Sequence, residues 1–310
     1  MAEWLYQRDI YGKTLVELGR ENKNIVVLDA DLSSSTRTCF FAKEFPERFF
    51  NFGVAEQNMM ATAGGLASCG KIVFVSTFAM FATGRAWDQV RNTVCYNNFN
   101  IKIVASHAGI TVGPDGSSHQ ALEDIALMRA IPNMKIIVPC DGLQTAEAVR
   151  AAADTPGPFY IRLGRSKFPT LENRKEFIFG KAQILREGND ISIIACGLLV
   201  HTALTAASWL AQKNIQAKVI NIHTIKPLDE ELIIDSAKNT KGIVVCEEHS
   251  VIGGLACAVE DVLCEKYPVH IKKIGIRNRF GQSAEAEDLL REYDLQAEDI
   301  AKAAEELFYR

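Results

Sequence analysis

An α/β protein of two domains, each a parallel or mixed sheet flanked by helices, follows from three features of the sequence. Short apolar runs of strand length alternate with amphipathic stretches of helix length along the chain. The alternation breaks once, between Gly164 and Arg186, into a charged stretch containing proline. Finally, 310 residues with 48% hydrophobic content suffice for two cores.

The first unit is an amphipathic helix over Arg8 to Arg20, followed by the buried strand Ile25-Val26-Val27-Leu28, which ends in Asp29-Ala30-Asp31. A helix from Ala55 to Ala67 stops at Cys69-Gly70 before the strand Lys71 to Ser76. Trp87 to Cys95 predicts a helix and Ile101 to Ala105 a strand, and then comes a polar loop rich in Gly and Ser, His107 to His119. Loops of that length often carry function. Helix Ala121 to Arg129, strand Lys135 to Val138, helix Leu143 to Ala152 and strand Phe159 to Leu163 complete the first domain. Such alternation calls for a parallel sheet covered on both faces.

Past the break, strands are predicted at Ile191 to Cys196, Ala217 to Ile220, Gly242 to Cys246 and His270 to Ile274. Helices are predicted over Val200 to Gln212, Asp229 to Ala237, Gly254 to Cys264 and Ala297 to Phe308. The expected division is a first domain over 1–165, a linker over 166–185 and a second domain over 186–310.

With 34 Lys and Arg against 38 Asp and Glu, the formal charge is −4, which offers no basic field to a nucleic-acid backbone and no membrane-surface patch. No apolar run approaches the roughly 20 residues of a membrane span. The N-terminal Met1 to Asp9 lacks a basic segment ahead of an apolar one, so a cytoplasmic protein is expected. Eight Cys occur without a C-x-x-C pair or a His at ligand spacing, the pattern of buried free thiols.

Ligands gather at the carboxyl ends of parallel strands, where this chain has Asp31, Ser33, Ser76, Thr77, His107 and Arg165. Glu56 opens a helix rich in Met, Ala and Gly. A carboxylate there either favours the helix N-terminus or is held in a dry site for proton chemistry. Asp115, in Pro114-Asp115-Gly116, equally suits a plain turn.

Linked motifs decide more than any one of these. They are Asp29-Ala30-Asp31-Leu32, Phe52-Gly53-Val54-Ala55-Glu56-Gln57, Ser76-Thr77-Phe78-Ala79-Met80-Phe81 and Gly113-Pro114-Asp115-Gly116-Ser117-Ser118-His119-Gln120. Ile161-Arg162-Leu163-Gly164-Arg165 and Glu247-Glu248-His249-Ser250-Val251-Ile252-Gly253-Gly254 follow, and His107 and His119 stand 12 residues apart. In order and spacing this resembles the C-terminal half of the transketolases, over essentially the whole chain.

The resemblance implies a pyrimidine-binding domain followed by a transketolase C-terminal domain, with thiamin diphosphate as cofactor. It places Glu56 on the aminopyrimidine ring, whose imino tautomer then takes the proton from thiazolium C2; Glu56 and His119 are the expected catalytic residues. An apolar surround, to which Met59 and Met60 contribute, is expected to keep the Glu56 carboxyl protonated near neutral pH. Phe81 stacks on the ring, Phe78 lines the pocket and Asp31 lies on the cofactor side. His107, Asp115, His119 and Arg165 contact the sugar phosphate, with Ser33 as a second phosphate contact. The C-terminal domain is expected to serve subunit contacts and receives no site residues.

Two departures from the family stand out. The segment after Phe81, Ala82 to Val90, is one residue longer than in many transketolases, with Gly84 where some carry an aromatic ring. No Gly-Asp-Gly occurs, so Mg²⁺ and the diphosphate are expected on a separate N-terminal subunit, in an α2β2 heterotetramer. The expected activity is transfer of a two-carbon ketol unit from a ketose phosphate to an aldose phosphate. The competing readings are a 1-deoxyxylulose-5-phosphate synthase, a 2-oxoacid dehydrogenase beta subunit, and a non-catalytic scaffold.

Overall fold

Strands covered by helices on both sides have no face for solvent, and every residue of Ile25–Asp29 and of Ile101–Ser106 is buried. The computed structural model describes residues 3–172 and 175–310. The first part of the chain holds β1 (Trp4–Tyr6), α1 (Gln7–Glu21), β2 (Ile25–Asp29), α2 (Ser33–Thr36), α3 (Cys39–Glu44), β3 (Phe49–Asn51), α4 (Glu56–Ser68) and β4 (Ile72–Phe78). It continues through α5 (Trp87–Gln89), β5 (Ile101–Ser106), α6 (Asp124–Arg129), β6 (Lys135–Ile137), α7 (Gly142–Asp154) and β7 (Phe159–Arg162).

Then come β8 (Lys167–Pro169), β9 (Gln183–Arg186), β10 (Ile191–Ala195), α8 (Leu199–Gln212), β11 (Ala217–Asn221), β12 (Thr224–Lys226) and α9 (Glu230–Asn239). β13 (Ile243–Ser250), α10 (Leu255–Lys266), β14 (Ile271–Ile276), α11 (Ala286–Glu292) and α12 (Ala297–Phe308) finish the chain. Among the described residues no helix is long and apolar enough to cross a membrane.

One sheet has seven strands in the order β12-β6-β7-β5-β4-β2-β3, parallel except for β12 against β6. A second has five, β14-β13-β10-β11-β9, parallel except at its β9 edge. From β2 the chain moves outward to β3 and then back past β2 to β4. The strand order therefore reverses between β2 and β4, and a crevice opens at their carboxyl ends.

The division between the halves differs from the sequence expectation. The expected linker contributes β8, which pairs antiparallel with β1 and ties Trp4 to Pro169, and the edge strand β9 begins within it at Gln183. Asn173 and Arg174 of that stretch, like Met1 and Ala2, lie outside the described residues. β12, from the second half of the chain, closes the first sheet, so the two halves interlock.

The expected helix Trp87 to Cys95 is α-helical only to Gln89, and Val90–Cys95 is a π-helical turn. A second π turn spans Phe81–Arg85. A π turn takes in one residue more than an α turn by bonding i to i+5, which accommodates the extra residue after Phe81.

Candidate functional site

Three segments leaving the crevice bring four rings into one wall. β4 ends at Phe78 and runs directly into the π turn that starts at Phe81, while His107 follows β5 in the left-handed conformation at φ 59°. Phe78 stacks on His107 with centroids 3.8 Å apart and on Phe81 at 6.0 Å. His119, from the far end of the polar loop, meets Phe81 edge-on at 5.4 Å.

His107 is 3% exposed, with Nδ1 2.9 Å from the Ser106 hydroxyl. Burial, followed by the charges of Arg8, Arg165 and His119, pulls its pKa down to about 3, leaving a neutral imidazole. The folded-state value lies below the unfolded one of about 6.5, so its contribution to stability is present above pH ~6.5 and is lost as the pH falls toward the folded value. An NMR titration is expected to show His107 neutral down to pH ~5. A midpoint near 6.5 in the folded chain would show the wall open to water.

Glu56 begins α4, and its side chain is 1% exposed. Arg85 Nη1 donates to Oε1 at 2.8 Å and to Oε2 at 2.9 Å, and the Arg85 guanidinium lies 4.7 Å over the Phe81 ring. This corrects the expected apolar surround. Met59 and Met60 are fully buried on α4, but the carboxylate itself is ion-paired, because a buried charge requires a partner. Arg85 thus covers both the carboxylate and the Phe81 face.

Beyond His107 the site turns positive. Arg165 is half-buried and donates to the Val112 carbonyl at 2.8 Å. Arg8 approaches the Ser35 carbonyl at 3.4 Å, its Nε buried and unpartnered. Burial and the neighbouring charges of Arg37 and Arg165 lower the pKa of Arg8. Among the described residues neither Arg8 nor Arg165 is in an ion pair, whereas Arg37 is held by Asp9 at 2.6 Å. Two guanidiniums beside a neutral imidazole suit an oxyanion.

The remaining expected residues stand at the rim. Asp31 is exposed at φ 64°; its N–H donates to Asn51 Oδ1 at 3.0 Å and its carboxylate accepts from Asn51 Nδ2 at 3.2 Å. Ser33 opens α2, and Ser35, two residues on, is the member of the Ser run that Arg8 approaches. Asp115 is exposed at the end of the 3-10 turn Ile110–Asp115. Among the described residues none of the three is hydrogen-bonded to Glu56 or to the ring wall. Asp29 shapes the loop instead, accepting from the Leu32 N–H and the Thr36 and Thr38 hydroxyls at 2.7, 2.7 and 2.8 Å.

Sequence reasoning missed Arg8, on the polar face of the amphipathic α1, and Arg85, in the stretch between Phe81 and the helix predicted from Trp87. Among the described residues no group of three or more His, Cys, Asp or Glu is arranged to hold a metal ion.

A carboxylate at the head of a helix, an aromatic wall and a cationic end are thus gathered where the strand order reverses, the place where open parallel sheets bind their ligands. The chain belongs to the transketolase family. Residues 5–170 match the transketolase pyrimidine binding domain and residues 180–300 the transketolase C-terminal domain.

Among relatives, a chain named as a transketolase C-terminal section from Methanocaldococcus jannaschii is 52% identical over 296 residues, covering 94% of this chain and 93% of the other. The 6-deoxy-6-sulfo-D-fructose transketolase subunit SqwH of Clostridium sp. (strain MSTE9) is 41% identical over 308 residues, covering 99% and 95%. A solved structure of a split gene transketolase, an inactive beta4 tetramer, superposes with TM-score 0.92 at 50% identity, covering 98% and 99%.

Proposed function

We propose that this chain is the C-terminal subunit of a split, cytoplasmic, thiamin-diphosphate-dependent transketolase. It is active in an α2β2 assembly with an N-terminal subunit that brings the diphosphate-binding domain and Mg²⁺. The observation that carries this reading is Glu56, buried at the head of α4 and paired with the Arg85 that covers the Phe81 face, with Arg8 and Arg165 beyond His107. The relatives named as a C-terminal section and as a split-gene transketolase support the division into two chains.

These residues fit the pyrimidine end of the cofactor: a carboxylate for a ring nitrogen and an aromatic ring for stacking. Nothing in the sequence matches the Gly-Asp-Gly that holds the diphosphate. When bound, thiamin diphosphate supplies the nucleophilic carbon that carries the two-carbon fragment. Glu56 holds a proton at the ring nitrogen, and Phe81 offers its face where Arg85 now lies. His107, kept neutral, serves as donor or acceptor to a sugar hydroxyl, with His119 beside it. Arg165 and Arg8 take the anionic tail, and the same pair suits a phosphate or a sulfonate.

The test is two-carbon transfer from xylulose 5-phosphate to ribose 5-phosphate with thiamin diphosphate and Mg²⁺, by this chain alone and mixed with the diphosphate-domain subunit. Activity in the mixture alone is expected. Turnover by the single chain overturns the split reading, and failure to form any cofactor-bound complex overturns the family chemistry for this chain.

Arg165→Ala in the assembled enzyme is expected to raise KM for phosphorylated sugars about 10- to 100-fold, the loss of a charge-assisted contact, with kcat little changed. An equal loss on non-phosphorylated donors removes Arg165 from the anion contact.

A further inference from the structure

The loop that carries His107, Asp115 and His119 is fastened from the second half of the chain. Glu248 lies in β13, 4% exposed, and its Oε1 accepts the Thr111 backbone N–H at 2.7 Å. Gly109, at φ 87°, packs so closely on the same carboxylate that a Cβ there would stand 2.3 Å from Oε1. Only glycine permits that approach. The Glu248 carbonyl accepts from Arg162 Nη2 at 2.9 Å, and the Ser250 N–H donates to the Leu122 carbonyl at 2.8 Å, so β13 is stitched to the base of the loop on both sides.

The consequences run to the site through adjacent residues. Thr111 is followed by Val112, whose carbonyl accepts from Arg165, and Gly109 lies two residues beyond His107. We propose that Glu248 is a positioning residue for the reaction assigned above: its carboxylate fixes the Gly109–Thr111 turn, and through it the placement of His107 against Phe78 and of Arg165 at the anionic tail. This rests on the proposed function for its catalytic meaning, while the fastening itself is a property of this chain. A carboxylate accepting a backbone N–H in a dry seam is a strong, directional contact. Within it, the second domain acts on the site without touching substrate.

Three variants separate the contact from mere burial. Glu248→Gln keeps an acceptor oxygen at full reach. Glu248→Leu removes the acceptor, and Glu248→Asp keeps the charge beside Arg162 but withdraws the oxygen by one methylene. On the chain alone, the Thr111 amide is expected to be protected from hydrogen exchange in the wild type and in Glu248→Gln, and to exchange at least tenfold faster in Glu248→Leu and Glu248→Asp. In the latter two the His107 titration is expected to move up toward its ordinary value of about 6.5 as its packing loosens.

In the assembled enzyme, Glu248→Leu and Glu248→Asp are expected to raise KM for phosphorylated sugars at least tenfold with thiamin diphosphate affinity unchanged, and Glu248→Gln to keep KM within about threefold of wild type. If Glu248→Leu does not fold, Glu248→Asp carries the same test. Unchanged Thr111 exchange and His107 titration in Glu248→Asp overturn the proposal, as does a loss of activity in Glu248→Gln equal to that in Glu248→Asp. Absence of two-carbon transfer by the wild-type assembly, with the exchange and titration results as expected, overturns the assigned reaction and leaves the fastening standing.

Discussion

Glu56→Gln in the assembled enzyme is expected to lower two-carbon transfer by about 10²- to 10⁴-fold, the usual range for removing a positioned proton-transfer group. Glutamine preserves the size of the side chain and the head of α4, and it still offers an amide for a hydrogen bond to a ring nitrogen. It has no carboxyl proton to share. On the function proposed above, cofactor affinity is expected to change by less than about tenfold, because the variant leaves the Phe81 face and the diphosphate site assigned to the partner untouched.

One side effect must be separated from the loss of chemistry. The variant also dissolves the ion pair with Arg85, whose side chain is 48% exposed while that of Glu56 is 1% exposed. An exposed pair contributes 0–1 kcal/mol and breaking a buried one costs 3–5, so a change of about 1–2 kcal/mol is expected for this half-exposed pair. Urea denaturation reads that change directly, and kcat measured well below the transition is free of it. Turnover within about tenfold of wild type removes Glu56 from the proton path.

The chemistry around Glu56 was legible in the sequence through the linked motifs and the resemblance they carry, and the sheet explains why those motifs converge. Phe78 closes β4 and His107 follows β5, so the parallel sheet alone brings them to one edge. Phe81 and His119 belong to the loops that leave that edge. Arg8 was not visible, because α1 meets Arg165 through long-range contacts, the pairing of β1 with β8 and the Gly164 N–H donating to Gln7 Oε1 at 2.8 Å, between residues more than 150 apart in sequence.

Arg85 was hidden for another reason. It lies ahead of the helix predicted from Trp87, and the π turn Phe81–Arg85 is what carries its guanidinium over Phe81 and onto Glu56. Glu248 resembled any polar residue at the end of a strand until the fold laid Thr111 against it. β8 and β12 were missed because strands of three residues leave no periodicity to detect. What the local pattern encodes is burial; which polar groups meet across the two halves is decided by long-range pairing.

That seam between the halves carries the largest expected effect on stability. Arg162, buried at the end of β7, donates Nε to Asp124 Oδ2 at 2.8 Å and Nη2 to the carbonyls of Ala121 at 3.2 Å and Glu248 at 2.9 Å. Tyr160 adds its hydroxyl to the same Asp124 oxygen at 2.6 Å. Burial alone pushes the Asp124 carboxyl up, but the charge of Arg162, helped by His249, outweighs it and holds the group below the usual range. Arg162→Leu fills much of the volume yet takes the guanidinium from a buried Asp124 carboxylate that keeps only the Tyr160 hydroxyl bond and the His249 ring 3.9 Å away. A loss of about 3–5 kcal/mol at pH 7 is expected, as for other broken buried pairs.

The pH dependence distinguishes this cause from a packing defect. In the wild type the folded-state pKa of Asp124 is depressed, so its contribution is present above the unfolded value of about 3.9 and is lost as the pH falls through the folded value. In Arg162→Leu the same carboxyl, buried without its cation, titrates above its unfolded value and takes up a proton on acidification. The deficit relative to wild type is therefore expected to shrink between pH 7 and pH 5, and adding Asp124→Asn to Arg162→Leu is expected to recover part of it at pH 7. Urea denaturation of the three variants at both pH values is the measurement. A deficit below about 1 kcal/mol at pH 7, or one that is the same at both pH values, would place the strength of the seam in its apolar packing and not in the Arg162–Asp124 pair.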